Sequence, residues 1–401
     1  MKKILYLVSF IASFFIAVSC DEIGREPFNK DVAPEKVSNI NVESLPGGAK
    51  ITYTLPNDKN LLYVKAVYTL ADGTVREMKS SFYKNEIVLD GFSDTIQYKA
   101  NIYSVSRGEK ASEPIEVTFK PSISPIKIAY ETLAMKTTFG GVAFTYTNPY
   151  EANLRFTLLT KDTITGEIVI ASNFYSKAKT GRFALRGYNP RERWFGLFIT
   201  DRWNNKTDTL SGMYTPIFEQ KLDKTKFLEV KTLPGDTREG HISTTMANLW
   251  NEQTGHDGGQ IFHTKPGTGL PQWFTFDLGS DQKTEISRIK VHHRQGDGYD
   301  GSYIGGDPKV YEIWGSNNPD PDGGWNNWTL LNTCYSIKPS GSPDGVVTAE
   351  DVQFAGVTGE EFEFPEGIPP VRYIRFKTIK VWGMLDHIYI AEITIYGKIV
   401  K

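Results

Sequence analysis

The sequence of 401 residues predicts an all-β protein, and three observations support this fold class. Aromatic residues make up 13% of the chain and there are 36 glycines, a composition typical of short strands joined by turns. Long segments rich in Ala, Leu, Glu and Lys, which would indicate helices, do not occur. Apolar residues alternate with polar ones in short runs, as in Ile51, Tyr53 and Leu55. We therefore expect β-sandwich domains.

The N-terminus begins with two positive charges, Lys2 and Lys3, and continues with the apolar stretch 4–18. This stretch is too short to cross a bilayer comfortably, which favours a cleaved leader over a membrane helix. The small residue Ser19 then precedes Cys20. The arrangement resembles a bacterial lipoprotein signal, in which the cysteine is acylated. It predicts a signal peptide at 1–19, a tether at 20–32, and a lipid anchor at Cys20 that attaches the chain to the membrane.

The residues around Cys20 refine this expectation. The acidic pair Asp21-Glu22 resembles the surface-export signal of lipoproteins from polysaccharide-degrading gut bacteria, which implies an outer-membrane location facing the exterior. Ala17 stands where such signals usually have Leu, and the alternative is an ordinary secretory peptide that contains a cysteine. The mature chain is mildly acidic without a basic block, so no nucleic-acid partner is expected. If Cys20 is acylated, Cys334 has no disulfide partner and is expected to be buried.

The chain contains an internal repeat. The segments GGAKITYTLP (47–56) and GGVAFTYTNP (140–149) share the frame Gly-Gly-x-x-x-Thr-Tyr-Thr-x-Pro, which predicts two copies of one domain at 33–120 and 121–225. The copies resemble Ig/fibronectin type III-like β-sandwiches, the second more divergent, with Tyr53 where that family has a core tryptophan. We expect structural spacers. The loop 202–205 is expected to pack against the neighbouring domain, with a minor ligand contact as the alternative.

The third segment, 226–401, carries four ordered motifs. They are Phe-Asp-Leu-Gly at 276–279, Tyr-Glu-Ile-Trp-Gly-Ser at 311–316, Arg-Tyr-Ile-Arg-Phe at 372–376 and Ala-Glu-Ile-x-x-Tyr-Gly at 391–397. Together they resemble the coagulation-factor type-C or discoidin domain, a galactose-binding-like jelly roll of eight strands. The resemblance implies that binding belongs to loops at the end of the sandwich. It also implies that Trp273, Trp314 and Trp328 pack in the core.

The whole arrangement resembles surface lipoproteins of polysaccharide-utilisation systems. It implies a non-catalytic cell-surface lipoprotein that binds a polysaccharide or oligosaccharide and feeds a glycan-uptake system, with an outer-membrane glycan transporter complex as an expected partner. The alternative is a surface adhesin that binds a protein through the same domain. An enzyme is not expected, because the resemblance leaves no room for a catalytic domain and no Gly-x-Ser-x-Gly motif is present.

Sugars bind to aromatic rings and to planar polar side chains in loops. Three loops of the last segment offer such residues, and Trp325, bracketed by Gly-Gly and Asn-Asn, is expected to be an exposed ring. The predicted glycan-binding residues are Trp325, Trp382, Tyr299, Tyr303, Arg294, His387 and His263.

A structural Ca²⁺ is implied by the same resemblance. The loop that holds it in related jelly rolls corresponds to Asn251, Gln253 and Thr254 here, and the last strand supplies Glu392. All four side chains offer the oxygen ligands that calcium prefers. Because the family's Asp positions are Asn and Gln in this chain, the alternative is a loop without calcium.

Overall fold

The computed structural model describes residues 32–237, 240–241, 244–255, 259–279, 283–296 and 301–400. The predicted anchor Cys20 and the predicted ligand residue Tyr299 lie outside these ranges. Strands account for 48% and helices for 7%, which confirms the all-β fold class. Among the described residues, no helix is both long and apolar enough to cross a membrane.

The chain divides into two compact units. One contains the residues up to Lys136 together with Val142–Leu185 and Glu192–Tyr214. The other contains Thr137–Gly141, Arg186–Arg191 and the residues from Thr215 onward.

The first sandwich packs a three-stranded sheet, in the order β1-β2-β5, against a four-stranded sheet, in the order β4-β3-β6-β7. Its strands are β1 (Ser38–Leu45), β2 (Gly48–Thr54), β3 (Leu61–Thr69), β4 (Val75–Ser81), β5 (Glu86–Asp90), β6 (Tyr98–Ser106) and β7 (Ile115–Phe119). The predicted alternation is realised in β2, where Ile51 and Tyr53 are buried in the core. Tyr53 therefore takes the core position that the resemblance implied.

The second sandwich begins with helix α1 (Pro125–Glu131) and has the sheet orders β12-β9-β8 and β11-β10-β13-β14. Its strands are β8 (Ala134–Thr138), β9 (Gly141–Thr147), β10 (Leu154–Lys161), β11 (Ile168–Ser176), β12 (Thr180–Leu185), β13 (Arg193–Asp201) and β14 (Leu210–Tyr214). Phe144 and Phe156 lie in its core with ring centroids 5.2 Å apart.

The loop 202–205 packs against the first sandwich, as expected. The guanidinium of Arg76 lies 4.4 Å from the centroid of the Trp203 ring, and that of Arg202 lies 4.7 Å from it. The Asn205 side-chain amide donates a hydrogen bond to the Gly91 carbonyl at 3.1 Å. The contacts with Arg76 and Gly91 join the two sandwiches. A ligand would have to displace the two guanidinium groups to reach this indole.

The last domain is a jelly roll. A four-stranded sheet has the order β15-β25-β19-β22, a five-stranded sheet has the order β16-β18-β23-β20-β21, and β17 pairs with β24. Its strands are β15 (Gln220–Lys221), β16 (Leu228–Glu229), β17 (Phe262–His263), β18 (Gln272–Asp277), β19 (Lys283–His292), β20 (Pro308–Ser316), β21 (Thr329–Tyr335), β22 (Glu360–Glu363), β23 (Tyr373–Val381), β24 (Tyr389–Ile390) and β25 (Glu392–Val400). Its helical segments are two 3₁₀ turns (Lys224–Lys226 and Met246–Trp250), helix α2 (Ala349–Val352) and a π-helical turn (Gln353–Thr358).

Aromatic stacking fills the space between the two larger sheets. Phe274 and Phe376 are fully buried with ring centroids 5.2 Å apart, and Tyr311 stacks on Phe376 at 4.7 Å. Burial of each such ring contributes about 1.5–3 kcal/mol. Cys334 is 1% exposed in the same core, which confirms its predicted burial. Because the phenylalanines of β18 point inward, the alternate residues of that strand point away from the core.

Candidate functional site

Five side chains from separate loops and short strands come together at one end of the jelly roll. The His263 ring stacks on His387 at a centroid distance of 4.9 Å and lies 5.0 Å from His241. The same ring lies 5.5 Å from that of Tyr389, and the Arg294 guanidinium lies 5.1 Å from the Tyr389 ring centroid. We call this group the histidine cluster; its members are His241, His263, His387, Arg294 and Tyr389.

The short ladder between β17 and β24 builds the centre of the cluster. His263 pairs directly with Tyr389 in antiparallel register, which places their side chains on the same face. Thr264 extends the ladder: its backbone N–H donates to the Ile388 carbonyl, and its hydroxyl accepts the Ile388 N–H, both at 2.9 Å. His387 is therefore held beside His263 by backbone geometry.

The imidazole of His263 is neutral at physiological pH. Its pKa is lowered to about 4, mainly by burial and also by the neighbouring His387, His241 and Arg294, against a hydrogen bond with the Thr264 carbonyl that raises it. Nδ1 lies 2.7 Å from that carbonyl oxygen, so in the neutral ring Nδ1 carries the proton and Nε2 carries a lone pair. His387 Nδ1 lies 3.1 Å from Asp386 Oδ1. The cluster thus offers both acceptors and donors for hydroxyl groups.

Charged residues buried beneath the loops fix Arg294 in position. His293 Nε2 lies 2.9 Å from Glu360 Oε2, and its Nδ1 lies 3.5 Å from Asp307 Oδ2. Glu360 also accepts hydrogen bonds from the Tyr303 hydroxyl at 2.9 Å and from the Ser336 hydroxyl at 3.0 Å. We call these five residues the carboxylate network. The Asp307 carboxylate accepts a hydrogen bond from the backbone N–H of Arg294 at 3.1 Å, which connects the network to the histidine cluster.

Burial and charge act in opposite directions within this network. Burial lowers the pKa of His293, but Asp307 and Glu360 outweigh it and raise that pKa. Burial raises the pKa of Asp307 to about 7, against the opposing effect of His293. Burial and Glu360 together raise the pKa of Tyr303, whose hydroxyl stays protonated. The network is held together by these compensating interactions, because isolated buried charges are costly.

Two predicted ligand residues have structural roles instead. Tyr303 is fully buried, so the prediction that it contacts a glycan is wrong; its hydroxyl is bound to Glu360 within the network. Trp382 is half-buried, and its indole N–H donates to Ser336 at 2.9 Å. The ammonium of Lys309 lies 4.1 Å from the Trp382 ring centroid, so a sugar would have to displace it.

Trp325 does not lie in the histidine cluster, and its ring is not freely exposed as predicted. It is half-buried, with ring centroids 5.3 Å from Trp273 and 5.1 Å from Trp314. The burial of Trp328 is confirmed at 6% exposure, whereas Trp273 and Trp314 are half-buried on the outer side of their sheet, contrary to expectation. The family resemblance located the strands but not which of their tryptophans face the core.

Of the predicted ligand residues, Arg294, His263 and His387 meet in one place, and the sequence analysis missed His241. Tyr389 is 1% exposed and its hydroxyl donates to the Ile304 carbonyl at 3.1 Å, so it supports the cluster from within the core. His241 gave no signal, since its proximity to His263 depends on the path of the chain between them.

The predicted calcium ligands do not fit a calcium ion. Lys224, which is buried, places its ammonium on the Glu392 carboxylate and lies 3.3 Å from Glu252. The Asn251 amide donates to the Gly259 carbonyl at 3.0 Å, and its oxygen accepts the Gln253 N–H at 2.9 Å. The Gln253 side chain is exposed. A lysine charge therefore occupies the neighbourhood of the one predicted anionic ligand, where it opposes the binding of a cation.

Three family models match the chain, each described as a domain of unknown function. They cover residues 34–121 (DUF4959), 122–225 (DUF5126) and 250–397 (DUF5000). No curated protein matches the chain significantly. The chain is 33% identical to the solved SusE-like protein BT2857, over 68% of this chain and 98% of that one, with a TM-score of 0.44. At this identity and coverage, the chain belongs to the SusE-like family.

Two solved carbohydrate-binding modules are more distantly similar. GH31 CBM32-2, solved bound to GalNAc, is 15% identical over 43% of this chain and 97% of its own, with a TM-score of 0.29. CBM62 of Xyl5A from Clostridium thermocellum is 18% identical over 45% of this chain and 99% of its own, with a TM-score of 0.29.

Replacement of the buried lysine tests its pairing with Glu392, and EDTA tests whether calcium is bound. Lys224→Met should lower the free energy of unfolding by about 3–5 kcal/mol, because it leaves the buried Glu392 carboxylate uncompensated. Lys221→Met is the matched control: its exposed pair with Glu252 is worth at most about 1 kcal/mol. Chemical denaturation measures both, and EDTA should leave the wild-type melting temperature unchanged. A lower melting temperature of the wild type in EDTA would restore the predicted calcium site.

The pKa of His263 predicts a pH dependence of stability. Its folded pKa of about 4 lies below the unfolded value of about 6.5, so the unfolded chain takes up the proton first. The stabilising contribution is complete above about pH 6.5 and is lost as the pH falls toward about 4. Melting temperatures between these pH values should fall less for His263→Gln than for the wild type. Identical pH profiles would show that His263 titrates normally in the folded protein.

Proposed function

We propose that this chain is a non-catalytic, cell-surface glycan-binding lipoprotein that binds a polysaccharide or oligosaccharide at the histidine cluster. The observation that carries the proposal is the convergence of three imidazoles, a guanidinium and an exposed loop at one end of a jelly roll. Membership of the SusE-like family agrees with it.

The loop beside the cluster supplies the surface that a sugar requires. Met384 is fully exposed, and Leu385 and Asp386 are exposed next to it. Apolar Met384 and Leu385 can contact the CH face of a pyranose, while Asp386 and the imidazoles accept hydrogen bonds from its hydroxyls. Arg294 supplies donors that remain charged at every physiological pH. The combination is suited to an uncharged, hydroxyl-rich ligand.

Binding without catalysis is part of the proposal. Glycoside hydrolysis requires two carboxyl groups that flank the scissile bond. Asp307 and Glu360, which carry the strongest interactions near the cluster, are buried in the carboxylate network and committed to His293. They therefore support the loops and are inaccessible to a substrate.

Anchoring, location and partners extend the proposal on the basis of the sequence. The lipoprotein-like signal places the lipid at Cys20, which would attach the chain to the outer membrane facing the exterior. A surface protein that captures a polysaccharide would pass it to an outer-membrane glycan transporter complex. The glycan-uptake role follows from this arrangement.

A surface adhesin is the second candidate, and one observation favours it. Met384 and Leu385 form an exposed apolar tip, a feature that also suits contact with a protein. The neighbouring imidazoles and Asp386 favour a hydroxyl-rich ligand over a protein, so glycan binding is the leading proposal.

Loss of His387 should weaken glycan binding. We expect the mature chain to be retarded in native gels that contain one of a panel of polysaccharides: galactan, xylan, arabinan, mannan, amylopectin or homogalacturonan. His387→Ala should weaken the binding to that polysaccharide at least about tenfold, which is about 1.4 kcal/mol, because it removes the ring stacked on His263. The melting temperature of the variant shows whether the fold survives.

Arg294→Lys is a second, milder variant that keeps the positive charge but loses the planar donors. It should also weaken binding while leaving the fold intact. If no polysaccharide retards the wild type and a purified surface protein binds instead, the adhesin is correct. Full retention of polysaccharide binding by both variants would place the glycan elsewhere.

Anchoring can be tested independently of ligand binding. Cys20→Ala should move the protein from the membrane fraction to the soluble fraction. The lipid is attached to the cysteine thiol, and the other cysteine of the chain, Cys334, is far away in the sequence. Immunoblots of separated fractions measure the partition, and surface protease treatment of intact cells measures the orientation. Unchanged membrane association of Cys20→Ala would contradict the lipid anchor.

A further inference from the structure

Three tryptophans lie together on the outer side of the five-stranded sheet. Because Phe274 and Ile313 point into the core, the adjacent Trp273 of β18 and Trp314 of β20 point outward. Trp325, from the loop before β21, inserts between them, and all three rings are half-buried. We call these rings, with the neighbouring Glu312 and Lys377, the tryptophan surface.

The rings are held in a fixed arrangement. Trp325 stands nearly perpendicular to its neighbours, at 73° to Trp273 and 71° to Trp314. Beneath it lies the fully buried Arg375, whose guanidinium is 4.5 Å from the Trp325 ring centroid. Arg375 in turn lies 3.4 Å from the buried Asp236. The surface is thus organised before any ligand arrives, which lowers the entropic cost of binding.

Charged groups at the edge of the rings indicate what binds there. Glu312 Oε2 accepts the Trp314 indole N–H at 2.9 Å and lies 3.0 Å from the Lys377 ammonium. Lys377 itself lies 5.2 Å from the Trp325 ring centroid. The cores of protein–protein interfaces are depleted of Lys and Glu, whereas a sugar presents a CH face to aromatic rings and hydroxyls to such charged groups. The composition therefore favours a glycan over a protein partner.

The strand that carries Trp273 is hydrogen-bonded to the proposed binding loop through its neighbouring residue Gln272. Gln272, the residue before Trp273, donates from its side-chain amide to the Asp386 carbonyl at 3.3 Å and to the Gly269 carbonyl at 3.1 Å. Trp273 therefore directly follows Gln272, whose side chain is hydrogen-bonded to the loop that carries His387. Gln272 lies on the core-facing side of β18 and Trp273 on its outer side, so the two groups of side chains belong to one domain and are linked through this strand.

We infer that the tryptophan surface is a second glycan subsite, which binds further residues of the same polysaccharide; this inference rests on the proposed function. A long chain engages both subsites, and the second contact is then intramolecular, which can raise the overall affinity by about 10²–10⁴-fold. A disaccharide occupies the histidine cluster alone. The geometry therefore selects polysaccharide over its short fragments.

The test uses the mature chain, the polysaccharide of the panel that most retards the wild type, and a disaccharide prepared from it. Trp314→Ala should weaken polysaccharide binding about tenfold or more and leave disaccharide binding unchanged. Leu330→Ala is the matched control, because Leu330 is exposed and is the cross-strand neighbour of Trp314. It should change neither affinity. His387→Ala should lose both ligands.

Several outcomes overturn the inference. Equal polysaccharide affinity of folded Trp314→Ala and the wild type would exclude the subsite, even if His387→Ala fails to bind. Loss of self-association in Trp314→Ala with unchanged polysaccharide affinity would assign the surface to a second copy of the chain. If no polysaccharide binds the wild type, the proposed function fails first, which separates the two failures.

If Trp314→Ala does not fold, a measurement on the wild type replaces it. The polysaccharide should quench or shift the intrinsic tryptophan fluorescence, and the disaccharide should leave it nearly unchanged, because the described histidine cluster contains no tryptophan. Equal fluorescence changes with both ligands would contradict a separate subsite.

Discussion

The geometry of the proposed binding loops depends on one buried charge balance, that of His293 between Asp307 and Glu360. Buried charges are tolerated when partners compensate them, so the surrounding chain must deliver hydrogen-bonding groups to fixed positions. The buried Tyr303 hydroxyl is one such group, bound to Glu360. The backbone N–H of Trp382 donates to the backbone carbonyl of Asp307, which joins the loop after β23 to the same network. The result is a rigid support for side chains that face solvent, which suits the recognition of a ligand.

The aromatic residues of the jelly roll serve three different purposes, and their positions in the sheets separate them. Phe274 and Phe376 stack between the sheets and stabilise the domain. Tyr303 is buried in the carboxylate network, where its polar end matters as much as its ring. Trp273 and Trp314 stand on the outer side of the same sheet, where their rings are half-buried. Such a division would suit the proposed binding of a long sugar chain, because rings on the outer side of a sheet can contact a ligand without weakening the core.

Lys224 shows how a loop can be fixed by the chain itself. Its ammonium sits on the buried Glu392 carboxylate, at the start of β25, only a few residues from Tyr389 of the histidine cluster. If a free metal ion held the loop, the stability of the loop would depend on the concentration of that ion. The lysine ammonium is part of the chain and is therefore always present. The pairing places a turn that begins the domain against its last strand, which joins the first and last segments of the jelly roll.

The sequence by itself determined the all-β class, the inward alternation of Ile51 and Phe274, and the burial of Cys334, because strand periodicity and apolar burial are local properties. It also indicated Arg294, His263 and His387 from loop composition. Tertiary structure alone decided that Tyr303 is buried and that Lys224 meets Glu392, residues 168 positions apart. It likewise placed His241 beside His263, and Trp325 between Trp273 and Trp314. These pairings depend on how distant strands and loops come together, and the spacing of residues along the chain does not predict which distant segments come into contact.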